Sequence, residues 1–118
     1  MVLTRKRETL YRKTIQTFGR VHQILKAIEE LLELAIELIK LLVGKGDRNH
    51  IIEEMVDVMI ILEELLIMFN VNKEQIAKFR KFKLDRLGKY IEEKENDKQG
   101  NTDRKIDKAP RVEKDTNK

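Results

Sequence analysis

Two acidic pairs are the residues of this chain best suited to chemistry. Glu30 and Glu33 stand at i, i+3, as do Glu54 and Asp57, with residues 34 to 53 between the pairs. On a helix, residues three apart lie about 60° apart around the axis, so each pair presents both carboxylates on one face. Two such faces turned toward each other repel unless a cation sits between them. An all-oxygen donor set with room for water suits Mg2+ or Mn2+, and helical bundles build metal centres from facing helices in this way. The competing reading is a solvated charged face, with Lys26–Glu30 and Glu37–Lys40 as surface pairs on a stripe that also carries Glu33. Against it, the chain has no Lys or Arg between Arg48 and Lys73, and a buried carboxylate is costly unless it is paired or binds a metal.

Other chemistries have less to build on. The chain has no Cys and no Ser/His/Asp arrangement, which excludes disulfides, Cys-ligated metals and the usual side-chain nucleophiles. A di-iron site needs Glu-x-x-His on two helices, and neither His22 nor His50 follows a Glu at that spacing. Both read as surface or boundary residues near helix starts. The net charge of +4 conceals a partition: residues 1–20 carry +5, residues 21–70 carry −6, residues 71–94 carry +4 and residues 95–118 carry +1. The most apolar part of the chain is the acidic part, which argues against nucleic acid as the main partner. The basic residues Arg5, Lys6, Arg7, Arg12 and Lys13 leave room for a weak contact there.

The elements that must position these residues are helices. Of 118 residues, 41% are hydrophobic and 39% charged, with five Gly and one Pro, too few turn formers for an all-β domain. The expected fold is an all-α antiparallel bundle of about four helices. The first covers about Thr4 to Phe18, and Gly19 breaks it. The second runs from about Val21 to Val43, with Ile24, Leu25, Ile28, Leu31, Leu32, Ala35, Leu38, Ile39 and Leu42 at core-facing spacing, and Gly44 ends it. The third runs from about His50 to Phe69 behind a cap at Asp47 or Asn49. Asn72 and Gln75 form a capping box for a fourth from Lys73 to about Glu92. Residues 1–94 form the helical domain, and 95–118 read as a charged, disordered tail. The apolar stretch Val58 to Phe69 is interrupted by Glu63-Glu64, so no membrane span is expected. The third helix is apolar on nearly every side in its second half, which points to burial against a second subunit in a homodimer or homotetramer. The composition and the absence of an apolar leader suggest a cytoplasmic protein.

The segment Phe18-Gly19-x3-Gln23-x3-Ala27-x-Glu29-Glu30-Leu31-x-Glu33-Leu34, followed by Glu53-Glu54-x-x-Asp57-Val58, resembles the MazG-like group of all-α nucleoside triphosphate pyrophosphohydrolases. Downstream, Phe82-Lys83-Leu84-Asp85-Arg86-Leu87 is similar to the Lys-x-x-Arg-Leu element of small members of that group, and the likeness spans about residues 18–90. The resemblance implies a Mg2+-dependent hydrolase, with Mn2+ as a substitute. It would convert an NTP or dNTP, canonical or modified, to the monophosphate and pyrophosphate. Glu30, Glu33, Glu54 and Asp57 would hold the metal, and Glu33 would orient or deprotonate the attacking water. Lys83 and Arg86, an i, i+3 pair, would contact phosphates, or else form a solvated basic face. Phe18 would stack on the base, or sit in the core; Gln23 would hydrogen-bond the base edge, or lie on the surface. Met59 stands where relatives often carry Glu, a departure that bears on substrate choice. The alternative function is a catalytically silent helical interaction module of the same fold.

Overall fold

The computed structural model describes residues 3–100; of the tail expected over 95–118, residues 101–118 lie outside the described residues. The described chain is all-helical, with α1 (Arg5–Phe18), α2 (Arg20–Leu42), α3 (Arg48–Met68) and α4 (Lys73–Gly100). It divides into two compact units, one ending at Val71 and one beginning at Asn72.

Local chemistry sets the helix boundaries in the first unit. Thr4 caps α1, its hydroxyl accepting the Arg7 N–H at 3.2 Å. Gly19 ends α1 and begins α2 with φ 93° and ψ 159°, a conformation that only glycine adopts readily. At the end of α2, Gly44 has φ 81°; the Lys45 N–H reaches Lys40 O and the Gly44 N–H reaches Leu41 O. At the end of α3, Asn70 with φ 54° plays the same part, with Val71 N–H on Leu66 O and Asn70 N–H on Ile67 O. Both are Schellman closures, which satisfy the last carbonyls of a helix. Asp47 caps α3, accepting the Asn49 and His50 N–H groups.

α2 and α3 pack antiparallel, with Gln23 against Glu64 and Glu30 and Glu33 against Glu54. α1 lies on both. Tyr11, buried in α1, donates its hydroxyl to Glu63 Oε1 at 2.6 Å, and Arg7 reaches the other oxygen at 3.2 Å. Arg20 ties the start of α2 to the end of α3 by donating to Met68 O and stacking over the Phe69 ring at 4.7 Å.

The interior differs from the one expected. The buried apolar side chains of the described residues are Tyr11, Ala27, Val58 and Ile61, and beside them lie four buried polar ones, Gln23, Glu30, Glu63 and Glu64. The apolar stripe of α2 is not the core of this chain: Leu25, Ile28, Leu32, Ile36 and Ile39, which share an arc of about 80°, are all exposed. The face of α2 turned to α3 is instead the polar one. On α3, Met55, Val56, Met59, Ile60 and Leu62 are exposed in the same way.

The second unit holds α4, opened by the expected capping box: Gln75 N–H to Asn72 Oδ1 at 2.8 Å and Asn72 N–H to Gln75 Oε1 at 3.0 Å. The helix continues past Glu92 to Gly100, so residues 95–100 of the expected tail are helical. No helix among the described residues is long and apolar enough to cross a membrane.

The Tyr11–Glu63 bond makes a test of how α1 is fixed. Tyr11→Phe leaves a buried carboxylate oxygen without its phenol donor, and an expected loss of about 1–3 kcal/mol is read by urea unfolding. Burial and the hydrogen bond to Glu63 raise the Tyr11 phenol from 10.0 to about 12. Its stabilising contribution is therefore complete below pH 10.0 and is lost as pH rises through about 12. Unfolding free energy should fall across that window in the native chain and less steeply in Tyr11→Phe.

Candidate metal centre

Helical period places Lys26, Glu30, Glu33 and Glu37 on one side of α2, within an arc of about 60°. The antiparallel packing brings Glu54 of α3 to that arc. Carboxylate oxygens of Glu30, Glu33 and Glu54 all lie within 4.8 Å of one another, the spacing of ligands around one cation. Asp57, the fourth expected ligand, stands outside this group; it is exposed and shares a cavity wall with Glu30.

The surface-pair reading is half right. Lys26 does reach Glu30 Oε2 at 3.1 Å, and Lys40 reaches Glu37 Oε2 at 3.1 Å. In each case the second oxygen is left over. Glu30 Oε1, Glu37 Oε1 and Glu54 Oε1 are buried with no hydrogen-bond partner. A buried acceptor without a donor is costly, and the cost falls here on two residues of α2, Glu30 and Glu37, and on Glu54 of α3. Glu37, whose expected pair with Lys40 is formed, continues the Glu30, Glu33 stripe by one further turn and is not among the expected ligands.

The electrostatics agree. Glu33 is half-buried, and its carboxyl pKa is raised above 4.5 by desolvation, then by the charges of Glu30, Glu54 and Glu29 and a hydrogen bond shared with Glu54. Lys26 is raised above 10.5, chiefly by its hydrogen bond to Glu30 and by the Glu29 charge.

Glu30, alone of the three clustered carboxylates, also lines a cavity of about 520 Å3, whose wall includes Phe18, His22, Gln23, Lys26, Asp57 and Glu64. Phe18 and Gln23 both reach it, with their burial the reverse of the non-functional readings. Phe18 is 56% exposed, because it ends α1 at the Gly19 turn, and stacks on His22 at a centroid distance of 5.0 Å. Gln23 is 3% exposed, because its amide donates to Glu64 Oε1 at 2.7 Å inside the seam. Lys83 and Arg86 belong to the second unit, where with Leu87 and Tyr90 they line a shallow concavity on α4, the Arg86 guanidinium 5.7 Å from the Phe82 ring centroid.

By sequence pattern Glu63 and Glu64 only interrupt an apolar run. The signal was there: adjacent acids on the most apolar helix must either face water or find partners, and these find Tyr11, Arg7 and Gln23.

Because Glu33 binds its proton more tightly in the folded chain than in the unfolded one, its ionisation disfavours folding above its raised pKa, and this penalty is relieved as pH falls through it. The metal-free protein should melt at a lower temperature at neutral pH than Glu33→Gln does, by a few degrees, with the gap closing under mildly acidic conditions in a calorimetric series. Comparison of the chain with protein-family models, with curated proteins and with solved structures finds no match, so the resemblance to the MazG-like group is carried by the sequence pattern alone.

Proposed function

We propose that the chain is a divalent-cation-dependent nucleoside triphosphate pyrophosphohydrolase, cleaving an NTP or dNTP to the monophosphate and pyrophosphate. The observation that carries this reading is the convergence of Glu30, Glu33 and Glu54 from two helices, with one buried oxygen each of Glu30 and Glu54, Oε1, unpartnered. An all-carboxylate set with orphaned oxygens fits a hard cation such as Mg2+ and offers little to a softer metal. When bound, such an ion supplies positive charge that offsets the substrate phosphates and the leaving pyrophosphate.

The protein groups divide the remaining work. Glu30, Glu33 and Glu54 hold the cation, and Asp57 and Glu37 lie near enough in sequence and face to complete the set. Glu33 has the raised proton affinity of the cluster, and we assign it the orientation of the attacking water and acceptance of its proton. Lys26, on the cavity wall beside Glu30 and Glu29, is a cation placed to meet a phosphate oxygen. The cavity beyond it takes the nucleoside.

A second copy of the chain is the partner this reading needs. The exposed stripe of Leu25, Ile28, Leu32, Ile36 and Ile39 and the exposed apolar residues of α3 represent more apolar surface than an isolated small domain keeps in water. We assign them to self-association as a dimer or tetramer.

Mg2+ at a hundredfold excess over its dissociation constant should stabilise the protein by about 2.7 kcal/mol, a rise of several degrees in melting temperature. Pyrophosphate release from a panel of nucleoside triphosphates should require it. Glu54→Gln and Glu30→Gln should each lower turnover by at least about 100-fold, the scale on which removal of one electrostatic group acts. Phosphate release without pyrophosphate would refute the reaction type, and no turnover with no thermal response to Mg2+ would leave the silent interaction module. Sedimentation should show a dimer or larger species, converted toward monomer by Leu32→Asp combined with Ile39→Asp; a native monomer would refute self-association.

A further inference from the structure

Glu64 has no part in the acidic cluster, yet it is a carboxylate only 6% exposed on the wall of the cavity that Glu30 of that cluster also lines. Its hydrogen-bond donor among the described residues is the neutral amide of Gln23, at 2.7 Å. The Gln23 amide is held at its other end, with its Oε1 2.7 Å from His22 Nδ1. Both ends of Gln23 are thus engaged within the protein, and the group that it steadies is the Glu64 carboxylate. Phe18 and His22, stacked at 5.0 Å with an interplanar angle of 21°, supply flat aromatic surface on the same cavity. Gln23 and Glu30 are seven residues apart on α2, about 10 Å along the helix axis, roughly the reach of a nucleoside from base edge to α-phosphate.

Resting on the reading of this site as a nucleotide hydrolase, we propose that Glu64 selects the base, and that the preferred substrates carry an amino-substituted base. An ionised carboxylate only accepts hydrogen bonds, so the edge facing it must donate. Cytosine and adenine offer an exocyclic amino group to such an acceptor, and carboxylate pairing with the cytosine amino group is a known recognition geometry. Uracil and hypoxanthine replace that amino group by a carbonyl. The oxygen then faces the carboxylate with lone pair against lone pair, and a buried acceptor is left unpaired. Gln23 acts as a positioning residue for Glu64 rather than as a reader of the base, and Phe18 and His22 provide sequence-tolerant stacking.

The test uses two matched pairs, cytosine against uracil and adenine against hypoxanthine, in the full chain with Mg2+. Pyrophosphate release gives kcat/KM for the four triphosphates, and calorimetry gives affinities for the four monophosphates, which need no turnover. Within a pair, the amino base should be favoured by about 10- to 100-fold, the range of one good base contact. Glu64→Gln, which can donate as well as accept, should bring the ratio toward one, and Gln23→Leu should lower it, a readout that loss of stability alone does not move. Turnover with no preference inside either pair overturns the role of Glu64 and leaves the hydrolase reading standing. Selective monophosphate binding without turnover supports Glu64 and counts against the hydrolase. Equal or absent binding of all four monophosphates overturns the base proposal. The native ratios decide the matter even where a variant fails to fold.

Discussion

Carboxylates brought together without enough cations to balance them are the constraint on which this molecule turns. The packing of α2 on α3 places Glu30, Glu33 and Glu54 within 4.8 Å of one another, and Lys26 and Lys40 answer only one oxygen each of Glu30 and Glu37. The remaining oxygens are removed from water and receive nothing in return. A seam that only had to hold two helices together would place Leu and Ile there, which this chain has in abundance. It carries them on the opposite side of α2. Repelling groups kept in the seam cost stability, and unsatisfied groups of this kind are what a proposed cation site would have to offset.

What holds the first unit together around that seam is a second set of polar contacts, placed further along α3. Glu63 accepts from Tyr11 and Arg7 and so fixes α1; Glu64 accepts from Gln23 and so fixes the register of α2 against α3. These carboxylates have donors, in contrast to the buried Glu54 Oε1 about two and a half to three turns earlier on the same helix. The same residue type therefore does two jobs on one helix, according to whether a donor stands opposite. The apolar contribution from Tyr11, Ala27, Val58 and Ile61 is small for a unit of this size, and most of its Leu and Ile stand exposed on α2 and α3.

Much of the fold was legible in the sequence for local reasons. Gly19, Gly44, Asp47 and the Asn72–Gln75 pair act within a few residues of themselves, through backbone conformation and side-chain caps, and each lies at the boundary it marks. Helical period likewise placed Glu30 and Glu33 on one face without reference to anything else. The identity of the facing helix followed from a short connection between two long helices. The reading failed where the outcome depended on what stands opposite. Nothing local distinguishes a stripe of Leu and Ile that covers a core from one left exposed, and the apolar stripe of α2 is exposed.

The sequence by itself determined four helical segments, their caps, and two acidic pairs on helix faces, since these depend on neighbours three or four residues away. Tertiary structure decided which carboxylates meet. Glu54 joined Glu30 and Glu33 while Asp57 stayed at the cavity wall: both members of the i, i+3 pair on α2 meet the cluster and only one of the pair on α3, a difference set by how the two helices pack and not by spacing within either. It also decided that Gln23 is buried and Phe18 exposed. Gln23 meets a donor-seeking Glu64 forty-one residues away, and no periodicity within α2 carries that information.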